Sequence, residues 1–153
     1  MTKLKTLWLN HTKITDQGLA HLTKLKALNK LILTGNKIEG PGLAHLAKLP
    51  ALRYLSLQHV PLKDQGMPHI ANLTQVETLG LDDTQIGNSG LKYLEKLTDL
   101  KTLWLTNTNV TNDGLTSLKK MDGLDTLHLE GTKLSEEGIK ELKKALPQCE
   151  LTH

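Results

Sequence analysis

Aromatic residues are nearly absent from this chain of 153 residues, which has no phenylalanine, two tryptophans and two tyrosines. It contains one cysteine, Cys149, so an internal disulfide framework of the kind that holds small secreted domains together is excluded. No apolar run approaches the roughly 20 residues that a membrane-spanning helix needs, and the first residues show neither a signal-peptide nor a transit-peptide pattern. We therefore expect no membrane insertion, and the cellular compartment stays open.

A strong charge of one sign is also missing. The net charge of +3 comes from 19 basic and 16 acidic residues, which alternate along the chain instead of forming a block. This pattern does not favour nucleic acid as a partner. The length, with 38% hydrophobic and 23% charged residues, is typical of one globular domain spanning residues 1–153.

An internal repeat of 24 residues dominates the chain. Written at that period, the sequence forms six rows in which seven columns are apolar throughout. The columns that contain Leu7 and Leu9 hold leucine in every row. With only 38% hydrophobic residues overall, chance does not produce such columns. The seven columns begin at Leu4, Leu7, Leu9, Ile14, Leu19, Leu22 and Leu25, and the last of them ends at Ala145.

Each row predicts one coil of a solenoid. The alternation in Leu7-Trp8-Leu9 predicts a short strand with the leucines inward and Trp8 outward. A turn follows, and the segment after it has a polar helix N-cap and apolar residues three apart, as expected of a two-turn helix. We expect such caps at Thr15, Thr111 and Ser135. Stacked strands lie closer together than stacked helices, so the parallel sheet should be the concave wall of a shallow arc.

Glycine recurs once in every row, within the predicted helix. A glycine there costs about 1 kcal/mol relative to alanine, so a specific requirement must retain it. We expect a close approach of each return segment to the next coil, where a Cβ atom would hold the coils apart. The column consists of Gly18, Gly42, Gly66, Gly90, Gly114 and Gly138.

The pattern LxxLxLxxT, carried by residues 4–12 and repeated along the chain, resembles the leucine-rich-repeat signature. The segment Ile14 to Leu19 is similar to ribonuclease-inhibitor-like repeats and to bacterial repeats with threonine at the ninth position. The resemblance implies an α/β fold, a right-handed solenoid with a parallel concave sheet and short convex helices. The ninth position departs from the common asparagine except at Asn36, so hydroxyl groups should hold most of the turns.

The two ends of the repeat differ. From about residue 145 the chain keeps Leu151 in a strand column and then stops, which predicts a short seventh strand within a C-terminal cap. At the other end Leu7, Leu9, Ile14 and Leu19 lack a covering layer, although repeat proteins are normally capped at both ends. Either the chain belongs to a longer array, or this end packs on a partner or a second copy.

The outward strand positions are the candidate binding surface, because packing does not determine them. Trp8, Tyr54 and Trp104 lie there, and exposed aromatic side chains are typical of binding hot spots. Ser56 and Gly80, between bulkier neighbours, predict a depression. The alternative is that Trp104 covers Gly80 and binds nothing. The candidate partner-binding residues are Trp8, Tyr54, Ser56, Gln58, Gly80, Asp82, Trp104, Thr106 and His128.

Other chemistry finds little support in the sequence. His21, His45 and His69 share one column, but helices about 8 to 10 Å apart cannot bring three histidines to one ion. Asp82 and Asp83 supply too few oxygens for calcium. We expect no metal, no cofactor and no catalytic residues, since nucleophile, phosphate-binding and zinc motifs are missing.

Two functions remain at this point. The first is a non-enzymatic module that binds a protein or peptide on its concave sheet. The second is a structural segment of a longer solenoid that self-associates through its uncapped N-terminal end.

Overall fold

Seven parallel strands form one sheet in the computed structural model, which describes residues 3–153. The strands follow one another in sequence order, and each residue pairs with the residue 24 positions later, as Leu7 does with Leu31. The sheet and the solenoid predicted from the repeat are thereby confirmed. The strands are β1 (Thr6–Trp8), β2 (Lys30–Ile32), β3 (Tyr54–Ser56), β4 (Thr78–Gly80), β5 (Thr102–Trp104), β6 (Thr126–His128) and β7 (Glu150–Thr152).

The return segments vary more than the two-turn helices that we predicted. The fourth coil has such a helix, with seven residues at Asn88–Leu94. Only the last coil has a helix of ten residues, and the second and third coils return in 3₁₀ conformation. Pro68 lies inside the third return segment, and in an α-helix its ring would clash with the carbonyl four residues earlier, which disfavours the α form there. The α-helices are α1 (Asp16–Leu19), α2 (Asn88–Leu94), α3 (Leu115–Leu118) and α4 (Glu136–Ala145), and the 3₁₀ segments are Ala20–Lys24, Pro41–Lys48, Asp64–Asn72 and Asn112–Gly114.

One apolar core runs between the sheet and the return segments through all coils. It consists almost entirely of the seven predicted columns, and most of their side chains are fully buried. Two positions differ from the prediction. Leu19 is buried, because its own coil and the second coil enclose it. Ala145 is exposed and Leu146 takes its place in the core, since the longer α4 shifts the register by one residue.

Hydroxyl groups hold the turns that follow the strands, as predicted. The threonines of this column each donate to the carbonyl three residues earlier at 2.7 Å. Asn36 does more, because its side chain donates to the carbonyls of both Leu33 and Leu9 and so joins two coils. The threonines are Thr12, Thr84, Thr108 and Thr132.

The predicted helix caps are only partly confirmed. Thr111 accepts a hydrogen bond from the Asp113 N–H at 3.3 Å, and Ser135 accepts one from the Gly138 N–H at 3.1 Å. Thr15 accepts none, so that expectation was wrong. The residue after Thr15 provides a cap of another kind. Asp16 accepts from three backbone N–H groups of the following coil, those of Glu39, Gly40 and Gly42, at 2.9, 3.1 and 2.8 Å.

The glycine column is explained by contact between coils, although the contact is with the preceding coil and not with the next one. A Cβ atom on Gly42 would overlap the backbone of Asp16. On Gly66 it would overlap the backbone of Glu39, and from the fourth coil on it would meet the capping side chain of the preceding coil, as at Gly114, 2.7 Å from Asn88 Oδ1. Gly18 is the exception. Its Cβ would meet only Ile14 of its own coil, at 3.2 Å, since no coil precedes it among residues 3–153.

The two glycines allow a matched test of this packing. Gly42→Ala should lower the free energy of unfolding by about 3 kcal/mol, because backbone atoms of the first coil must move. Gly18→Ala should change it by less than about 1 kcal/mol, since the helix propensity of alanine offsets a small shift of Ile14. Urea denaturation followed by circular dichroism measures both. Equal effects would mean that contact with the preceding coil is not what retains glycine.

Candidate functional site

The outer face of the sheet, directed away from the return segments, carries the candidate site. It comprises the first and third residues of each strand, the second residue after the strand and the turn residue that follows it. Three of the predicted residues, Tyr54, Trp104 and His128, meet there. The Tyr54 and Trp104 ring centroids lie 6.0 Å apart with the planes tilted by 58°, and Trp104 and His128 are stacked at 5.7 Å and 20°. Trp8 lies on β1, and its side chain is 66% exposed.

Gly80 is the reason that Tyr54 and Trp104 can meet from strands that are two positions apart. It stands between them on β4 without a side chain, and the Trp104 ring leans into the free space. A Cβ atom on Gly80 would lie 3.3 Å from Cγ of Gln58 and 3.4 Å from Cε3 of Trp104. The predicted open depression is therefore filled by these two side chains. Ser56, only 2% exposed, forms the floor beneath them.

A chain of polar contacts crosses the outer face beside the aromatic rings. Gln58 donates to Oδ2 of Asp82 at 2.5 Å, and Asp82 Oδ1 accepts from the backbone N–H of Thr106 at 2.8 Å. The hydroxyl of Thr106 donates to Oε2 of Glu130 at 3.3 Å. At the other end the hydroxyl of Ser56 donates to Gln58 at 3.3 Å. The predicted polar residues Gln58, Asp82 and Thr106 thus form one connected row.

Glu130 and Thr152 extend this row to β7. The Thr152 hydroxyl bonds to Glu130 and lies 2.8 Å from Nδ1 of His128. The bond from Thr152, the backbone N–H of Glu130 itself and the bond from Thr106 hold the pKa of Glu130 below its ordinary value.

Two charged side chains, those of Asp82 and Lys30, lie near Tyr54. Burial raises the pKa of its hydroxyl, and the nearby carboxylate of Asp82 raises that pKa further. The ammonium group of Lys30 lies over the Tyr54 ring, 4.1 Å from the centroid, which is a cation–π geometry. The aromatic row therefore has a cation on one side and a carboxylate on the other.

The turns that border the outer face share a left-handed backbone. The column of turn residues has positive φ throughout, although only two of its six members are glycine. Histidine, aspartate and asparagine tolerate this conformation better than other residues. Asn107 donates to Asp83 at 2.9 Å, and His59 lies 3.5 Å from the same carboxylate. The residues are His11, Gly35, His59, Asp83, Asn107 and Gly131.

The sequence analysis also considered metal sites and catalytic residues and expected neither. Among residues 3–153 no group of three or more histidine, cysteine, aspartate or glutamate side chains could hold a metal ion. Asp82 accepts a hydrogen bond from Gln58, whereas Asp83 accepts one from Asn107. Burial, together with the charges of Asp125 and Glu150, raises the pKa of the Cys149 thiol, which disfavours a thiolate nucleophile.

In the described part of the chain there is no helix that is both long enough and apolar enough to cross a bilayer.

Sequence reasoning missed four residues that complete the outer face. Lys30, Thr34, Glu130 and Thr152 contact the predicted residues, Thr34 through a 3.1 Å bond to Ser56. The signal was available in the repeat. Each of them stands in an outward column beside a predicted residue 22 to 24 positions away, and residues at that spacing are neighbours on adjacent strands.

Known proteins share this architecture. The family profile described as leucine rich repeat matches residues 2–62. Internalin C2 from Listeria monocytogenes is 25% identical, with a TM-score of 0.69, over 97% of this chain and 70% of that protein. A second internalin of that organism is 21% identical (TM-score 0.66), over 100% of this chain and 51% of the internalin. A leucine-rich repeat protein of Leptospira interrogans is 22% identical (TM-score 0.59), over 88% of this chain and 39% of that protein.

Nothing among the curated protein sequences matches this chain. The two similarities below 25% identity establish the fold alone, and this chain spans only about half or less of those two proteins. Together the comparisons agree with the architecture that the repeat predicted.

The hydrogen bonds of Glu130 lead to a pH-dependent prediction. Because the folded-state pKa lies below the ordinary value of 4.5, the stabilisation is present above that pH and is lost as the pH falls through the folded-state pKa. Glu130→Gln should therefore lower the free energy of unfolding at pH 7 and make it fall less between pH 7 and pH 3. Urea titrations at both pH values measure this difference.

Thr152→Val is the matched control, because it removes the main donor to Glu130 and should reduce the effect of the glutamine substitution. Identical pH dependence of the wild-type and Glu130→Gln proteins would contradict the assignment.

Proposed function

We propose that this chain binds a polypeptide on its concave sheet, because its repeat and its fold resemble those of leucine-rich repeat proteins, which generally serve in protein–protein interaction. In this proposal residues 1–153 act as one domain of six repeats with a C-terminal cap from about residue 145. The observation that carries the proposal is the row of Tyr54, Trp104 and His128 on the outer face.

The energetics of aromatic side chains support this surface. Tryptophan and tyrosine are enriched among the residues that dominate binding free energy, because they bury a large area at little conformational cost. The ring of Trp104 stacks on His128 and occupies the space that the missing side chain of Gly80 leaves. It is therefore positioned before a partner arrives. Trp8, two thirds exposed, would add a second contact at the N-terminal end of the sheet.

The role proposed for each remaining residue follows from its place. Gln58, Asp82 and Thr106 would supply hydrogen bonds beside the rings, and Ser56 and Gly80 would form the floor on which the rings rest.

The ionisable groups whose pKa values are clearly shifted are poorly suited to acid or base catalysis. In the described part of the chain, the groups with clearly shifted pKa values are Tyr54, Glu95, Glu130, Glu141 and Cys149. The pKa values of the tyrosine and the cysteine are raised, so both stay protonated near neutral pH. Those of the glutamates are lowered, so all three stay ionised. These shifts move each group away from the range that suits general acid or base catalysis.

The test uses binders selected from a display library of random peptides on the immobilised full chain. Trp104→Ala should weaken the selected binders by about tenfold or more, as expected for loss of a hot-spot residue, while the protein stays folded. Tyr93→Ala is the matched control, because Tyr93 belongs to α2 on the opposite side of the molecule. Circular dichroism verifies both folds. Unchanged affinity of every selected binder for Trp104→Ala would overturn the site.

A specific observation favours self-association through the N-terminal end as a second candidate function. In the first coil Leu7, Leu9 and Ile14 are only partly buried, and Leu4 is 37% exposed. Gly18 also matches the glycine of the other coils, yet among the described residues nothing from a preceding coil contacts it. A second copy packed on this end would cover the leucines and would explain this glycine.

Light scattering coupled to chromatography across a range of concentrations tests the second candidate. If a second copy covers the end, the mass should grow with concentration, and Gly18→Arg should abolish the growth. Gly123→Arg is the matched control, because a Cβ atom there lies 3.7 Å from its nearest neighbour, Thr98 O. A mass that stays monomeric at all concentrations, or growth that both variants retain, would contradict assembly through this end.

A further inference from the structure

The charge of the outer face is opposite in sign to the charge of the whole chain. The chain carries a net charge of +3 with histidine counted as neutral. On the outer face, however, the charged residues among those described are one lysine and four carboxylates. The rest of the molecule is correspondingly more basic than the total suggests. The charged residues of the outer face are Lys30, Asp82, Asp83, Glu130 and Glu150.

The charges on the outer face are also separated along the stack. Lys30 lies on β2, whereas all four carboxylates lie on or directly after β4, β6 and β7. Three lysines follow the turn residues by two positions, Lys13 and Lys37 in the first two coils and Lys133 in the sixth, where its ammonium group lies 3.4 Å from Oδ1 of Asn109. A cationic group of a partner would therefore be attracted to the half of the sheet that contains Trp104 and repelled by the other half.

Two of the carboxylates are already held in place on either side of Thr106. The Thr106 backbone N–H donates to Asp82 at 2.8 Å, and its hydroxyl donates to Glu130 at 3.3 Å. Adjacent strands are about 4.8 Å apart, so the two carboxylates flank a gap of about two strand spacings. Each carboxylate offers about four acceptor positions, and the bonds to Thr106 leave some of them free. Oδ2 of Asp82 also accepts from Gln58, so a cationic group above Thr106 would meet two carboxylates whose positions other residues already fix.

Trp104 completes this arrangement on the same strand. Its indole and the Thr106 side chain point outward from positions two residues apart, at the spacing of neighbours on one face of a strand. The long side chains of lysine and arginine pack their aliphatic parts on aromatic surfaces while the charged end stays in a polar environment. The molecule already contains one such contact, because Lys30 lies over Tyr54 at 4.1 Å.

We propose that the partner contacts this half of the outer face with a basic segment, and that one lysine or arginine side chain lies over Thr106, between Asp82 and Glu130, with its stem against Trp104. This inference rests on the proposed function, in which the concave sheet binds a polypeptide. It goes further by naming the charge of the partner segment and the half of the sheet on which that segment lies.

Three synthetic peptides of equal length test the charge preference on the full chain. They are (Gly-Ser-Arg)₄, (Gly-Ser-Gln)₄ and (Gly-Ser-Glu)₄, which differ only in the charge of every third residue. The chain has two tryptophans, so its ¹⁵N-labelled form gives two indole N–H signals, and the Trp8→Phe variant assigns them. We expect the arginine peptide to shift the Trp104 signal and to bind about tenfold more tightly than the glutamine peptide.

A pair of double variants localises the effect. Asp82→Asn with Glu130→Gln should weaken the arginine peptide by about tenfold, since it removes both carboxylates that flank Thr106. Asp99→Asn with Asp122→Asn removes the same number of charges from exposed loop positions and should leave the affinity unchanged. Both double variants should keep the circular dichroism spectrum of the wild-type protein.

The outcomes separate this inference from the proposed function. Equal affinity for the three peptides, absence of any shift at Trp104, or equal losses in the two double variants would overturn the basic-segment inference. None of these results affects the test of the proposed function, which depends on the loss of selected binders in Trp104→Ala. Retention of those binders would overturn the binding face itself, whatever the charge of the peptides.

Discussion

Parallel pairing at a constant register of 24 residues is the constraint from which the other features of this molecule follow. Leu7 pairs with Leu31, and the same relation holds for each later pair of strands as far as Leu127 with Leu151. Because side chains alternate across a strand, a slip of one residue between two coils would turn every core leucine outward. Each coil must therefore have the same length, and any residue lies beside its counterparts in the neighbouring coils.

The same register imposes a close approach on the return side of the coils. Strands repeat about every 4.8 Å, whereas packed α-helices need about 8 to 10 Å, so a return segment built only of regular helix fits poorly behind such a sheet. The second and third coils therefore return in 3₁₀ segments. In the second to sixth coils, the glycine of the return segment lets the preceding coil approach closely. Asp16, Asp64, Asn88 and Asn112 use this proximity to cap the following coil.

The repeat made the fold predictable because its signal depends only on which positions are apolar. Strand positions, core columns and the requirement for glycine could be inferred from six aligned rows. Helix type could not, since the choice between α and 3₁₀ conformation depends on contacts with the preceding coil and on particular residues such as Pro68. The shift from Ala145 to Leu146 was missed for a related reason. Ten residues of regular helix in α4 advance the chain differently from the mixed return segments of the other coils.

The candidate site was predictable as a set of positions but not as an arrangement. Outward columns and aromatic residues located Tyr54 and Trp104, whereas the lean of Trp104 over Gly80 and its stacking on His128 depend on side-chain rotamers. The depression expected over Gly80 was filled for that reason. The contacts of Glu130 and Thr152 followed from the register and required the outward columns to be examined across coils as well as along each strand.

The last strand, β7, contributes to the outer face as well as to the core. Leu146, which precedes it, is buried, and Leu151 on the strand is partly buried against the core. Thr152 on the same strand, β7, bonds to Glu130 and His128. His128 in turn stacks on Trp104, so the last strand helps to position the aromatic row. The proposed binding surface thus depends on the differences between coils, because the shared columns are already committed to packing.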